Sequence, residues 1–398
     1  MTTTKTRVAT ALSRAKRPTT AADEILRSLG EGLEGASPVL LVVFASPVVP
    51  LAELLPLLTA RFPKAVVIGA TSAGEFTQER DAKGSTSVFA VAGDVKVTAA
   101  MGCGLRADTE RAVQDATKDL GAPDESHPHA MTLLLFDPLA GSGETVTLLV
   151  AAALGDGAPI AGGAAGDDLK MVETMVGLGK AVATDALVVA RVYTRAPLGL
   201  GVAHGHQPLS PPLRVTKAEG AVVHEIEGRP AWDVWRAETR AAGHAVGIDV
   251  DALAPEAEGA FFLRFEAGLA SGDGFYKIRA PLARKGTAIH FATEMPEGSV
   301  IRITQSVPED QVASAKVAAR RARAALGGGP VAGALVFDCI CRNLILGTDF
   351  VRAVHGMQDE LGGAPLAGFE TYGEVALDET ETSGFHNTTS VVVAFPET

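Results

Sequence analysis

The stretch Gly69-Ala70-Thr71-Ser72-Ala73-Gly74-Glu75 leaves the apolar run Val66-Val67-Ile68 through a glycine, crosses small residues and reaches Gly-Glu. The same grammar returns as Pro159-Ile160-Ala161-Gly162-Gly163-Ala164-Ala165-Gly166-Asp167-Asp168 and as Pro365-Leu366-Ala367-Gly368-Phe369-Glu370-Thr371-Tyr372-Gly373-Glu374. Upstream of each lies another apolar run, at residues 39–44, in Leu133-Leu134-Leu135-Phe136-Asp137 and in Leu335-Val336-Phe337-Asp338, followed by a helically patterned stretch. Short apolar runs bounded by turn residues read as buried strands, so each copy predicts strand, helix, strand and acidic turn.

Working outward, the second and third copies extend toward the N-terminus. Val88-Phe89-Ala90-Val91, Gly93-Asp94 and residues 95–99 predict a hairpin, followed by a helix from Asp108 with Val113, Ala116 and Leu120 on one face. Ala288-Ile289-His290-Phe291, Glu297-Gly298 and residues 300–304 predict its counterpart. The helix after it opens near Ser306 and Glu309 and places Ala315, Ala318, Ala322 and Ala325 on one face. The matching elements lie roughly 200 residues apart, far beyond the period of a solenoid, which points to domain duplication. The expected fold class is α/β, internally duplicated, with two pseudo-symmetric halves of mixed β-sheet flanked by helices. The expected domains are 37–196 and 197–398, divided where Pro197, Pro208, Pro211 and Pro212 cluster. Residues 1–36 add a strand at 8–12 and a helix opened by Thr20 and Asp23 and stopped by Gly30, punctuation that a targeting segment would not need. Pro56 is expected to kink or restart the helix of the first copy.

Composition excludes several function classes. The formal net charge is −12 and no strong basic run exists, so a nucleic-acid partner is not expected. Three cysteines cannot build a disulfide framework and fit a reducing, cytoplasmic setting. No apolar run is long enough for membrane insertion; the best, around Ala186, is interrupted by Arg191 and Arg195.

The acidic turns are the first candidate for chemistry. Glycine there implies positive φ or close approach of another backbone. The acid that follows could simply accept hydrogen bonds from turn amides. Alternatively, several such turns gathered by pseudo-symmetry would line one pocket between the halves with Thr71, Ser72 and Tyr372 hydroxyls and the carboxylates of Glu75, Asp167, Asp168 and Glu374. His204-Gly205-His206 and Cys339-Ile340-Cys341 are thin metal signatures, the latter usable only if the segment stays extended. His127 and His129 lie in a polar loop and read as solvated. Ser142-Gly143-Glu144 lacks the glycine spacing of a nucleophile elbow, and Ala161 to Gly166 lacks the Rossmann spacing.

The turns at 69–75 and 162–168 resemble signatures of the FIST N-terminal domain. Phe337-Asp338-Cys339-Ile340-Cys341-Arg342, Gly373-Glu374 and Phe385-His386-Asn387-Thr388-Thr389 resemble those of the FIST C-terminal domain. The resemblance runs from Arg7 to Phe395. It implies a sensory, small-molecule-binding module, with amino-acid-like metabolites as ligands and a separate signalling protein as partner. It also implies, as an alternative, a haem-binding nitric oxide sensor, for which His386, His204 and His290 are axial candidates. Carried over position by position, the ligand-binding residues would be Cys339, Arg342, Tyr372, Glu374, His386 and Asn387. Arg342 could clamp a carboxylate while Glu374 holds an ammonium group; Arg342 could equally be a buried ion pair with Asp338 or Glu374. His386 and Asn387 could serve only to bond the backbone of a turn. A Cys339–His386 thiol–imidazole enzyme and a ligand-free interaction scaffold are the remaining readings.

Overall fold

The apolar runs become the paired central strands of three sheets. A computed structural model of the chain describes residues 5–270, 276–378 and 384–397; the threonine-rich start, Thr2-Thr3-Thr4, lies outside them. The first repeat comprises β1 (Arg7–Ser13), α1 (Pro18–Gly32), β2 (Leu40–Ala45), α2 (Leu51–Arg61), β3 (Val66–Thr71), β4 (Glu75–Thr77), β5 (Arg80–Ala82) and β6 (Thr86–Ala92). The second comprises β7 (Lys96–Cys103), α3 (Thr109–Thr117), β8 (His129–Phe136), α4 (Gly143–Leu154), β9 (Ile160–Ala164), β10 (Val176–Leu178), β11 (Ala181–Ala183) and β12 (Ala186–Thr194). The third opens with β13 (Gly199–His204) and is then interrupted by a lobe. The lobe holds β14 (His206–Pro208), β15 (Leu213–Glu219), β16 (Val222–Ile226), β17 (Arg229–Pro230), α5 (Ala231–Ala245), α6 (Glu258–Arg264), β18 (Ala267–Ala270), β19 (Tyr276–Arg279), β20 (Pro281–Lys285), β21 (Ala288–Phe291) and β22 (Val300–Ser306). The third repeat resumes with α7 (Pro308–Ala325), β23 (Val331–Cys339), α8 (Ile340–Leu346), α9 (Phe350–Glu360), β24 (Leu366–Thr371), β25 (Glu374–Leu377), β26 (Phe385–His386) and β27 (Thr389–Pro396).

The three body sheets have six strands each, in the orders β1-β6-β2-β3-β10-β11, β7-β12-β8-β9-β25-β26 and β13-β27-β23-β24-β4-β5. Each has one parallel pair at its centre, β2–β3, β8–β9 and β23–β24, and antiparallel pairing elsewhere. The last two strands of every sheet come from a different repeat. The hairpin after the first acidic turn joins the third sheet, that after the second joins the first, and that after the third joins the second. The protein is thus an internally duplicated α/β fold of mixed sheets flanked by helices, and the three-copy turn grammar corresponds to three interlocked sheets.

The central strands are apolar on both faces because both faces are covered. On β2, Leu40, Val42 and Phe44 join a core shared by all three sheets, while Leu41, Val43 and Ala45 pack under α1 and α2. Met131, Leu133 and Leu135 of β8 and Leu335 and Phe337 of β23 point into the same shared core. At its centre Phe44 stacks on Phe369 with ring centroids 4.1 Å apart, and Phe337 meets Phe369 edge-on. The lobe has its own core around Trp232, Trp235, Phe261 and Phe262.

Several local expectations are corrected. Residues 86–92 and 96–103 do not pair with each other: β6 lies between β1 and β2, and β7 pairs with β12, so Gly93-Asp94 carries the chain from one sheet to the next. β21 and β22 share a sheet without pairing directly, since β15 and β16 stand between them. The position equivalent to β7 belongs to β13, against which α7 packs. α1 starts at Pro18 with no side-chain cap, so Thr20 and Asp23 do not open it. α2 runs unbroken through Pro56. His127 is buried and bonded to Asp94 at 3.1 Å instead of solvated.

The close approach of the turns generates a test. A Cβ on Gly166 would stand 2.8 Å from Ala73 N and 3.0 Å from the Ser72 carbonyl carbon. Gly166→Ala is expected to lower the unfolding free energy by about 1–3 kcal/mol, read from the urea midpoint. Gly30→Ala in α1, where a Cβ meets nothing within 4 Å, is expected to leave it unchanged or raise it slightly.

Candidate functional site

The three acidic turns meet and bond to one another through their backbones. Gly166 N donates to Thr71 O at 2.9 Å and Asp168 N to Ser72 O at 3.2 Å; Glu370 N donates to Gly74 O at 2.8 Å and Ala73 N to Glu370 O at 3.1 Å; Ala164 N donates to Gly373 O at 2.8 Å and Tyr372 N to Ala164 O at 3.2 Å. The glycines serve this close approach: a Cβ on Gly74 would stand 2.4 Å from the Glu370 carboxyl carbon.

The first and third turns use the same device. Ser72 Oγ donates to the Glu75 carboxyl group three residues on, and Thr371 Oγ1 donates to that of Glu374. Glu75 also accepts from Ser85 N at 2.9 Å and Ser85 Oγ at 2.6 Å, and Glu374 from Thr389 N at 3.1 Å. Burial pushes Glu75 up to about 7, against the lowering effect of the Ser72 and Ser85 hydrogen bonds. Burial, with Cys339 adjacent, drives Glu374 well above the carboxylate range. The second turn has diverged: Ala165 stands at the hydroxyl position and Asp167 at the glycine position. Asp167 instead accepts from the amides of Met171, Val172 and Glu173 at 2.8, 2.7 and 3.0 Å and from the Tyr372 hydroxyl. Burial would raise its pKa, but Tyr372 and those amides outweigh it and hold the carboxyl below the usual range. Asp168, at φ 55°, accepts from Ser46 Oγ at 2.8 Å.

Arg342 is fully buried, and its donors go inward. Its Nε donates to Asp338 at 2.8 Å, one terminal nitrogen to Ser314 Oγ at 2.9 Å and to the Gln311 side chain, and the other to Gln311 O at 3.0 Å. The ion pair with Asp338 is therefore the arrangement present; four of the five guanidinium N–H groups are engaged, too many to leave the two-pronged carboxylate clamp expected from the sequence. Cys339 ends β23 and Cys341 lies in α8, so the extended geometry that a paired thiol site needs is not there. Burial pushes the Cys339 thiol well up, the opposite of an activated nucleophile.

A cleft of about 740 Å³ opens between the third repeat and the lobe. Its walls are β13, α7, β19 and the β26–β27 turn. It takes His204 and His206 from the body–lobe junction, His386 from β26, Lys277 and Tyr276 from β19, and Asp310 and Arg321 from α7; Gln207, Ser314, Asp378 and Thr389 add to the polar lining. Of the ligand-binding residues carried over from the resemblance, His386 alone lines it, beside the His204-Gly205-His206 stretch that the sequence offered as a thin metal signature. Asn387 sits behind, accepting from Ala280 N at 3.3 Å, and Thr71, Ser72, Glu75, Asp167, Asp168, Tyr372, Cys339, Arg342 and Glu374 stand apart from the lining, at the turn junction and behind α7. Burial lowers His204 to about 4 and His386 to about 3, so both rings are neutral at neutral pH. Sequence reasoning missed Lys277, Asp310 and Arg321 because they lie on three separately patterned elements; His204-Gly205-His206 was the available signal.

A FIST N domain model matches residues 39–229, and a FIST C domain model matches residues 241–377. The chain belongs to the FIST family. FIST domains are sensory and signalling modules that bind ligands. Two uncharacterized proteins of Mycobacterium tuberculosis, MT0656 of strain CDC 1551 / Oshkosh and Rv0628c of strain H37Rv, are each 29% identical to this FIST protein over 230 residues, 55% of this chain and 56% of theirs. The match thus spans about half the length of these curated relatives. Among solved structures, a cyanuric acid hydrolase described as an innovation by structural concatenation aligns over 98% of this chain and 99% of its own at 12% identity and a TM-score of 0.31. The enzyme from A. caulinodans aligns over 99% and 100% at 11% and 0.31. Among the described residues, no helix is long and apolar enough to cross a membrane.

The position of Glu75 sets a pH dependence. A carboxyl group raised from 4.5 to about 7 by burial contributes its full stability below 4.5 and loses it as pH rises through 7. That loss is about 3 kcal/mol. Glu75→Gln is expected to flatten this part of the pH profile in urea unfolding; equal slopes in the two proteins would contradict it.

Proposed function

We propose that this FIST protein senses a small polar metabolite carrying both an anionic and a cationic group, bound in the cleft between the third repeat and the lobe. The observation that supports this most directly is the lining itself. Lys277 and Arg321 supply cations, Asp310 and Asp378 supply carboxylates, and neutral imidazoles with Tyr276 and Thr389 supply directional donors and acceptors. A zwitterion of amino-acid type has the matching pair of charges. Arg321 is already oriented by donating to Val202 O at 2.7 Å. The ligand would touch both the body and the lobe, so binding would favour one relative placement of the two, a change that a separate signalling protein could read.

Haem is less well matched. Its slot is largely apolar, whereas this cleft carries two carboxylates and two cations. His206 directs Nδ1 to Thr304, and His386 directs Nε2 to Ala376 O at 3.0 Å. A cysteine-dependent reaction has no support from a buried, strongly protonated Cys339.

A thermal-shift screen over amino acids and related zwitterions tests the reading. A ligand present at 100 times its Kd should stabilise the protein by about 2.7 kcal/mol, and Lys277→Ala and Arg321→Ala should each remove that gain. A hit whose shift survives both substitutions, or a hemin titration that produces a Soret band in place of any metabolite hit, would contradict it.

A further inference from the structure

Behind the cleft two polar atoms face each other. His206 Nε2 and Glu266 Oε2 lie 3.4 Å apart, and both side chains are fully buried. Among the described residues, neither atom has a hydrogen bond elsewhere. The rest of each group is fixed. Thr304 Oγ1 donates its one proton to Glu266 O at 2.9 Å, so at 3.1 Å it must accept from His206 Nδ1. This places the imidazole proton on Nδ1 and leaves a lone pair on Nε2. A lone pair against a bare carboxylate would be repulsive in a site without water, and one proton between them removes the conflict.

The pair sits where the lobe joins the body. His206 and Thr304 belong to β14 and β22, and Glu266 immediately precedes β18. The second oxygen of Glu266 accepts from Thr388 Oγ1 of the body at 2.9 Å. Thr388 is held at φ 48°, a strained position for a β-branched residue. Next to it, Asn387 N donates to Ile278 O and Ala280 N donates to Asn387 Oδ1, each at 3.3 Å. Glu266 is thus one end of a short bridge that ties the β18–β19 edge of the lobe to the turn before β27.

We propose that Glu266 and His206 share a single proton that locks the lobe onto the body, making the back wall of the cleft pH-sensitive. This rests on the lobe contact and holds whatever ligand the cleft takes. The charged and titratable groups facing the pair are Glu374 from β25 toward Glu266, and His204 from β13 and Arg342 from α8 toward His206. Burial, reinforced by Glu374, drives Glu266 well above 4.5, and burial, reinforced by His204 and Arg342, drives His206 well below 6.5. The raised acid contributes stability that is complete below 4.5 and is lost as pH rises through its folded value. Loss of the shared proton leaves a buried carboxylate facing the Nε2 lone pair on one side and Glu374 on the other, and the lock opens.

Two measurements on the full chain decide this. In the ¹⁵N-labelled protein at neutral pH, a long-range ¹H–¹⁵N spectrum should show His206 with Nδ1 protonated; a ring carrying its proton on Nε2 with Nδ1 bare overturns the assignment. Amide exchange at Ala280 and Asn387, corrected for intrinsic rates, should lose up to tenfold protection per pH unit as the pair loses its proton. Glu266→Gln places an amide N–H where the proton lay and should remove that slope. Thr388→Val cuts the bridge and should lower protection by a constant factor at every pH. No slope in the wild type, the same slope in Glu266→Gln, or full protection in Thr388→Val overturns the proposal.

Discussion

No sheet of the body is complete within its own repeat. Each acidic turn ejects its hairpin into another sheet, and each turn is hydrogen-bonded through its backbone to the other two. This exchange constrains everything else. The turns must approach closely enough to share amides, which requires glycine at Gly166, while Gly74 leaves room for the buried Glu370 carboxyl group. The inner faces of three sheets must then fill one common core, which the Phe44, Phe337 and Phe369 rings do.

Burying acids at such a junction is costly unless each carboxyl group is met by donors. The first and third turns meet it with a hydroxyl three residues earlier and an amide from farther along the chain, Ser85 just before β6 and Thr389 at the start of β27. Desolvation still favours the protonated acid, as the raised values of Glu75, Glu370 and Glu374 attest. The second turn solves the problem differently. It keeps its carboxylate ionised by wrapping the residue 171–173 backbone around Asp167 and adding Tyr372 from the third repeat. The first and third turns thus favour a protonated acid and the second an ionised one, which sets the three near-equivalent junctions apart.

The repeated turns and the paired apolar strands were legible in the sequence because both are local patterns: a run of buried strand residues, then glycine, then an acid. Hairpin exchange was not legible. Residues 86–99 look like a hairpin by composition, yet Gly93-Asp94 hands the chain between sheets, and only long-range pairing decides that. The site was less legible than the fold. Arg342 and Glu374 have the residue types that bind a zwitterion, but both are used up inside, by Asp338, Gln311 and Ser314 in one case and by Thr371 and Thr389 in the other. The cleft is assembled from β13 and α7, which a lobe of about one hundred residues separates in the sequence, and from β19 within that lobe, so no single motif announces it. His386 was found because Phe385 to Thr389 resembles a FIST C-terminal signature, and His204 because it stands beside His206 in the sequence.

The interlock also gives the lobe its meaning. The body is closed by mutual exchange, whereas the lobe has a core of its own and meets the body through contacts that include Asn387, Thr388 and Arg279. The cleft lies at that seam. Native-state hydrogen exchange in increasing urea tests the interlock most directly, read at the amides of β3, β9 and β24. One shared opening free energy across the three strands is the predicted result, because no sheet can lose its exchanged hairpin alone. A separate, lower opening free energy for any one sheet would contradict it.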